Sequence, residues 1–342
     1  MSRAWMERGI VARLLWPISI VFRLLVATRR FAYKHGWFKT SALPVPVIVV
    51  GNLFIGGTGK TPLTIWLVEQ LRNAGCCPGV ISRGYGGKQA GVRHVLPQSS
   101  PHDVGDEPVL IAGRTGCPVT VGSDRVAAGR ALLAAHPEIN VIVADDGLQH
   151  YRLARTLEII LGDARGVGNG WLLPAGPLRE PASRRRDFTV QNLGTTSDKV
   201  FGKQSVQNKD AAIPMRLQVA VAWQLQDPEQ CCWLAEIAAA VPMPVIVATA
   251  GIGNPKRFFD SLTDAGLVFD CLPLPDHHVF TATTFSRCHA DVILMTEKDA
   301  VKCRAIPALA TDARLWVVPV NAHIDQFFAD NILEKLRGSA TA

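Results

Sequence analysis

Val50-Gly51-Asn52-Leu53-Phe54-Ile55-Gly56-Gly57-Thr58-Gly59-Lys60-Thr61-Pro62 joins an apolar run, Val45 to Val50, to an amphipathic segment from Leu63 to Leu71. The run has the length and β-branched content of a buried strand. Strand, glycine turn, Gly-Lys-Thr and helix, in that order, are the layout of a P-loop. In such a loop the backbone N–H groups of Gly56, Gly57, Thr58 and Gly59 cradle phosphate oxygens, Lys60 reaches the β/γ oxygens and the Thr61 hydroxyl binds Mg²⁺. The helix N-terminus adds its own positive field. Pro62 suits the first turn, where an N–H has no helical partner to lose. Two positions depart from the common patterns. Phe54 stands where the full motif has its first glycine, and Ile55 where the Gly-Gly-x-Gly-Lys-Thr variant carries a lysine.

The chain has 342 residues, room for two ordinary domains, and its 48% apolar and 19% charged content can fill a large core. The formal charge of +7 is unevenly placed. Residues 1–40 hold Arg3, Arg8, Arg13, Arg23, Arg29, Arg30, Lys34 and Lys39 against Glu7 alone, a surplus equal to that of the whole chain. Nucleic acid and an anionic membrane surface are the two polyanions such a segment can meet. The eight cysteines include two adjacent pairs and no C-x-x-C, which suits neither a zinc site nor a disulfide framework; buried free thiols in a reducing compartment are expected.

Residues 10–27 decide between those surfaces. They are strongly apolar, yet Arg13 and Arg23 interrupt them, and the uncharged run between is shorter than the ~20 residues that span a bilayer. Pro17 is expected to kink or split a helix. No small-residue cleavage site follows, which disfavours a signal peptide. Trp5, Trp16 and Trp37 favour a membrane interface. A helix, or a broken pair, lying at the interface with its arginines toward anionic head groups is the reading; an ordinary core helix with snorkelling arginines is the alternative.

Downstream, strands and helices alternate. Strands are expected at Gly79–Ser82, Pro118–Val121, Val141–Ala144 and Leu157–Leu161, with helices at Pro108–Ala112 and Arg125–Ala135, the latter capped by Ser123. This is the signature of an α/β fold, P-loop NTPase-like, with a mostly parallel sheet and helices on both faces. Residues 188–222 read as a hairpin or linker, with a polar stretch at Thr195–Ala211. Alternation resumes at Val245–Ala248, Pro255–Ala265 and Asp291–Met295. The expected organisation is a membrane-associating segment at 1–40, a core at 41–187, a linker at 188–222 and a smaller C-terminal α/β domain at 223–342.

Ligands in such sheets sit beyond the carboxyl ends of the strands, where the P-loop, Asp145-Asp146 and Asp163 fall. Asp145 and Asp146, ending a strand after a P-loop, are the candidates for holding Mg²⁺. Asp106-Glu107 is a second acid pair, equally suited to complementing a helix start. Arg125 at a helix start is better explained with an anion nearby. His277 and His278, adjacent and therefore pointing apart, suit a proton relay or substrate contact more than a metal. Arg179, Glu180 and the basic run Arg184–Arg186 form a charged loop able to meet an anionic substrate.

Val50–Pro62, Ser82–Gly86, Gly105–Pro108, Asp145–His150, Leu172–Pro181, Gly251–Pro255, Pro275–His278 and Thr296–Lys302, taken in that order, resemble the tetraacyldisaccharide 4'-kinase family of lipid A synthesis. The likeness covers nearly the whole chain, and Phe54 is consistent with it, because that family's loop also lacks the first glycine. The resemblance implies a peripheral enzyme on the cytoplasmic face of the bacterial inner membrane. It would transfer the γ-phosphoryl group of ATP to the 4'-hydroxyl of a tetraacylated glucosamine disaccharide 1-phosphate, with no nucleic acid and no obligate protein partner. By matching position it implies that Lys60 and Thr61 bind phosphate and Mg²⁺, that Asp145 and Asp146 serve metal and nucleotide, and that Glu107 lies near the metal. Asp106 paired with His277 would be the base. Arg125, Arg179 and Glu180 would support the reacting groups, with His150 behind them. Two rival readings are a nucleotide-switch ATPase or GTPase, which would want the lysine that Ile55 replaces, and a basic adaptor that merely binds nucleotide.

Overall fold

The computed structural model describes residues 5–84, 91–96, 98–194 and 212–340. Tyr85 and Gly86 of the Ser82–Gly86 motif and the polar stretch Thr195–Ala211 lie outside the described residues.

The chain opens with helix α1 (Ile10–Lys34), followed by β1 (Val47–Gly51), α2 (Lys60–Asn73), β2 (Pro78–Ser82), β3 (Arg93–Val95), α3 (Pro101–Val104), α4 (Asp106–Thr115), β4 (Val119–Val121), α5 (Arg125–Ala135), β5 (Val141–Asp145), β6 (Leu157–Asp163), β7 (Phe188–Asn192) and β8 (Ile213–Gln218). A second series follows: β9 (Val221–Gln224), β10 (Cys231–Trp233), α6 (Leu234–Ala239), β11 (Ile246–Ala250), α7 (Pro255–Asp264), β12 (Asp270–Pro273), β13 (Val292–Thr296), α8 (Glu297–Arg304), α9 (Pro307–Ala310), β14 (Leu315–Val318), β15 (Asn321–Ile324) and α10 (Gln326–Ala340).

These strands make two sheets. The first runs β15-β8-β7-β6-β1-β5-β2-β4-β3, parallel from β8 to β4 with an antiparallel strand at each edge. The second runs β10-β9-β14-β13-β11-β12, parallel from β14 to β12. β1 is central: all five of its residues are buried, as a parallel strand covered on both faces requires. It lies between β5 and β6, and Val50 pairs with Asp145, so the P-loop and the Asp145-Asp146 turn leave the sheet side by side.

Several boundaries differ from the expectations. β7 and β8 are parallel neighbours in the first sheet, so Phe188–Asn192 and Ile213–Gln218 are sheet strands rather than a hairpin or linker. Residues 321–340, grouped with the second domain above, return to the first sheet, where β15 pairs with β8. α10 then covers α2, stacking Phe328 on Trp66 with ring centroids 5.6 Å apart. That cover explains why α2 is buried nearly all round (Leu63 to Val68, and Leu71) instead of amphipathic. The cap of α5 is Asp124, not Ser123: its carboxylate accepts from the amides of Val126 and Ala127.

α1 runs 25 residues without a break at Pro17. Taken whole, it is long and apolar enough to cross a membrane by length and composition, although the run between its arginines is not. Ala12, Ser19 and Ala32 are buried, and Ser19 donates to the Leu172 carbonyl at 2.7 Å. Ile10, Leu14, Ile18, Val21, Leu24 and Leu25 on its other sides are exposed.

Candidate active site

The P-loop is held open by side chains that the glycines alone do not explain. Gly59 caps α2 in the left-handed region at φ 97°, and Gly56 lies at φ 105°. A Cβ on Gly59 would stand 2.7 Å from Nδ2 of Asn192, which donates to the Thr58 carbonyl. Asn52, fully buried at the end of β1, donates to the Phe54 carbonyl at 2.6 Å, the Gly56 carbonyl at 3.2 Å and the Thr58 hydroxyl at 3.1 Å. Its Oδ1 accepts from Lys60 at 3.3 Å. Thr61 is the second residue of α2, with Gly57 exposed ahead of it. Arg165 lies over the Phe54 ring and donates to the Gly57 carbonyl.

The acids stand opposite. Asp145 is buried, with Oδ1 accepting from Thr64 at 3.1 Å. Burial and repulsion from Glu107 push its carboxyl up to about 7, against the pull of Lys60. Asp146 adopts φ 47°, a strained conformation for a residue with a side chain. Its carboxylate meets Lys60 at 3.7 Å and Arg179 at 3.3 Å. Burial would raise its pKa, but those two cations outweigh it and hold the group below the usual range. Arg125 is buried behind this pair. It donates from Nη1 to the Gly122 carbonyl, Nε has no partner among the described residues, and burial lowers it to about 10. His150, pushed down to about 4 by burial and Arg125, is neutral near pH 7.

The second acid pair faces the second sheet. Asp106 starts α4, nearly buried, with Oδ1 fixed by the Glu107 amide at 3.0 Å and Oδ2 at 3.3 Å from His277 Nδ1. Burial raises its carboxyl and Lys298 opposes the shift. Lys298 pairs with Glu107 at 3.2 Å, and although burial opposes it, Glu107 and Asp106 hold the ammonium above its usual range. His277 sits at φ 56° in the loop after β12. Glu180 lies close by but is engaged: one oxygen takes Arg184 and the other accepts from Gln149 at 3.3 Å. Asp163, expected at the ligand edge, is taken by Arg165 and Arg257.

A cleft of about 370 Å³ gathers Glu107, Asp145, Asp146, Arg179 and Glu180 on one side and Phe22, Val26 and Arg29 of α1 on the other. Lys60, Asp106, His277 and Arg125 border these groups through the contacts above. Asn52, Lys298 and Asn192 were missed by the sequence reading. Asn52, a polar residue directly after an apolar strand, offered that signal; Lys298, inside a helix, and Asn192 offered none.

The profile of the family described as Tetraacyldisaccharide-1-P 4'-kinase matches residues 11–337. The chain belongs to this family. Among its relatives, the tetraacyldisaccharide 4'-kinase of Herminiimonas arsenicoxydans is 56% identical over 343 residues, covering 100% of this chain and 96% of its own. That of Azoarcus sp. (strain BH72) is 48% identical, covering 97% and 94%. The crystal structure of LpxK from Aquifex aeolicus in complex with ATP superposes with a TM-score of 0.77 at 26% identity, covering 96% of this chain and all of that one. The fold of this tetraacyldisaccharide 4'-kinase family member is thus similar to that of the ATP complex over nearly its whole length.

Proposed function

We propose that this chain transfers the γ-phosphoryl group of ATP to the 4'-hydroxyl of a tetraacyl glucosamine disaccharide 1-phosphate, at the cytoplasmic face of the inner membrane. The observation that carries this reading is the cleft itself. One wall holds phosphoryl-transfer groups and the other is an apolar basic helix, an arrangement suited to an acceptor that is sugar at one end and lipid at the other.

Phosphoryl transfer depends on positioning and charge stabilisation more than on covalent chemistry. The amides of Gly57 to Lys60 and the Lys60 ammonium hold the nucleotide phosphates. Asp106 accepts the proton of the sugar hydroxyl as its oxygen bonds to the γ-phosphorus and the bond to the β-phosphate oxygen breaks. Burial makes Asp106 a better base than a free carboxylate, and His277 orients it. Arg179 and Arg125 lie where negative charge gathers.

Mg²⁺ fits the donor chemistry. It is commonly held by one or two carboxylates plus substrate phosphates, and no cluster of three or more metal-binding side chains is preformed among the described residues. Asp145 and Glu107 repel each other on the same wall of the cleft, a repulsion that a cation would relieve. With Thr61 and Asp146 they would hold the ion, which when bound neutralises phosphate charge. α1 would lie in the interface, its exposed leucines and isoleucines in the acyl region.

One assay tests the reading. Radiolabelled ATP should deliver label to the acylated disaccharide, and Lys60→Ala should abolish it. Label released as free phosphate would favour a nucleotide switch, and no turnover with retained ATP binding a nucleotide-binding adaptor.

A further inference from the structure

His277 stands in a stretch, residues 274–280, that is neither helix nor strand, and it holds φ 56°. A residue with a side chain keeps such a conformation only where its surroundings hold it there. The stretch does little of this by itself: the Leu274 amide donates to the Ala250 carbonyl, the His277 amide to Asp276 and the His278 amide to the Pro275 carbonyl. The rest of the hold comes from α8.

One part of α8 faces α4, which carries Asp106. Glu297 pairs with Arg114, and Lys298 with Glu107 at 3.2 Å. Another part faces the His277 loop, through Asp299 and Lys302. Asp299 is wholly buried. Its Oδ2 accepts from the Gly251 amide at 2.8 Å and the Thr296 hydroxyl at 2.7 Å, and its Oδ1 pairs with the Lys302 ammonium at 2.9 Å. That ammonium donates to the His278 carbonyl at 3.5 Å and lies 5.1 Å from the centre of the Phe280 ring. The packing is close on the other side as well. A Cβ on Gly251 would stand 2.9 Å from Asp299 Oδ1, and 3.3 Å from both His278 Cβ and the Pro275 carbonyl oxygen. The loop after β11, the loop after β12 and α8 therefore close on one buried carboxylate. A buried ion pair is weak evidence of stabilisation in itself. What this one does is fix where the loop lies.

We infer that Asp299 and Lys302 are positioning residues for the transfer: through the His278 carbonyl and the Phe280 ring they set the place of His277, and so its 3.3 Å contact with Asp106. This rests on the kinase reading above, in which Asp106 is the base. One helix then aligns both halves of the pair, α4 through Lys298 and the His277 loop through Lys302. Misplacement by ~1 Å at a reacting site can cost ~10²-fold in rate, so a side chain that never meets substrate can still govern turnover.

The test follows label from ATP into the acylated disaccharide, with full-length protein. Lys302→Met, Lys302→Arg and Gly251→Ala are each made alone and together with His277→Gln. Lys302→Met should lower kcat at least ~10-fold with KM for ATP little changed, and Lys302→Arg, which keeps the charge, should restore most of the loss. In the His277→Gln background Lys302→Met should change kcat less than ~2-fold, because the group it positions is gone. Equal fold losses with and without His277 would overturn the inference, since a general disturbance of the fold acts in both backgrounds. Unchanged kcat in Lys302→Met would overturn it too, as would normal turnover in His277→Gln. Should Lys302→Met lose ATP binding by calorimetry, Gly251→Ala decides by the same comparison, because it keeps the ion pair and displaces the loop. A wild-type protein that transfers no label fails the kinase reading itself, before any variant is compared.

Discussion

Asp106 and His277 come from different sheets and meet at 3.3 Å, so each is placed by a different part of the fold. Positioned acid–base groups typically contribute ~10²–10⁴ in rate. Asp106→Asn and His277→Gln should therefore lower kcat by roughly 10²-fold or more while ATP affinity, measured by calorimetry, stays near that of the wild type. Normal turnover in both would remove the dyad. Asp145 makes a different prediction. Its folded-state carboxyl is raised to about 7 from an ordinary value near 3.8, so its ionisation opposes folding. The protein's stability from this group is fully present below the unfolded pKa and is lost as pH rises through about 7. In the nucleotide-free protein, Asp145→Asn should raise Tm at pH 8 by ~4 °C and have little effect at pH 4. An equal shift at both pH values would contradict burial as the cause. The placement of these acids, though not their roles, was legible because Asp145 ends a strand and Asp106 opens a helix after a glycine. Asn52 was not. Its work is to bind three groups of its own loop, and that depends on a loop path that the residue order does not disclose.

At the scale of elements, α1 shows what pattern reading can and cannot reach. Arg13, Arg23 and Pro17 suggested a short or broken segment, but the helix is continuous from Ile10 to Lys34, with Pro17 inside it. Ser19 and Phe22 seat it on the body, and Trp5 donates to the Pro174 carbonyl ahead of it. Most of its apolar surface remains outward. An exposed patch of that kind marks an interaction surface. Deleting residues 1–34 should release the protein from anionic vesicles in a sedimentation assay and raise KM for the lipid acceptor, with ATP binding retained. Sedimentation unchanged by the deletion would refute the anchoring role. α2 was legible as a helix from Lys60 onward, but its burial was not: the helix that covers it lies more than 250 residues later.

The whole molecule holds together through a few cross-sheet contacts. Arg114 pairs with Glu297 at 2.5 Å, Arg257 with Asp163 at 3.2 Å and Lys298 with Glu107 at 3.2 Å. A Cβ at Gly253 would stand 3.5 Å from the Gly57 amide nitrogen, so the second sheet's glycine loop lies directly over the P-loop. The alternation of strands and helices announced both sheets, yet it did not say that β15 belongs to the first. A strand's local pattern records which faces are buried, and not which neighbour it pairs with. Phe328→Ala, which removes the ring stacked on Trp66 and set edge-on to Phe188, should cost ~3–5 kcal/mol in urea unfolding. A loss under about 1 kcal/mol would mean that α10 is only loosely held. The same packing bears on how the chain is made. Trp66 and its neighbours leave the ribosome well before the helix that shields them. Until that helix has been made, the nucleotide-binding half carries an uncovered greasy flank, a natural place for a chaperone to hold the nascent chain.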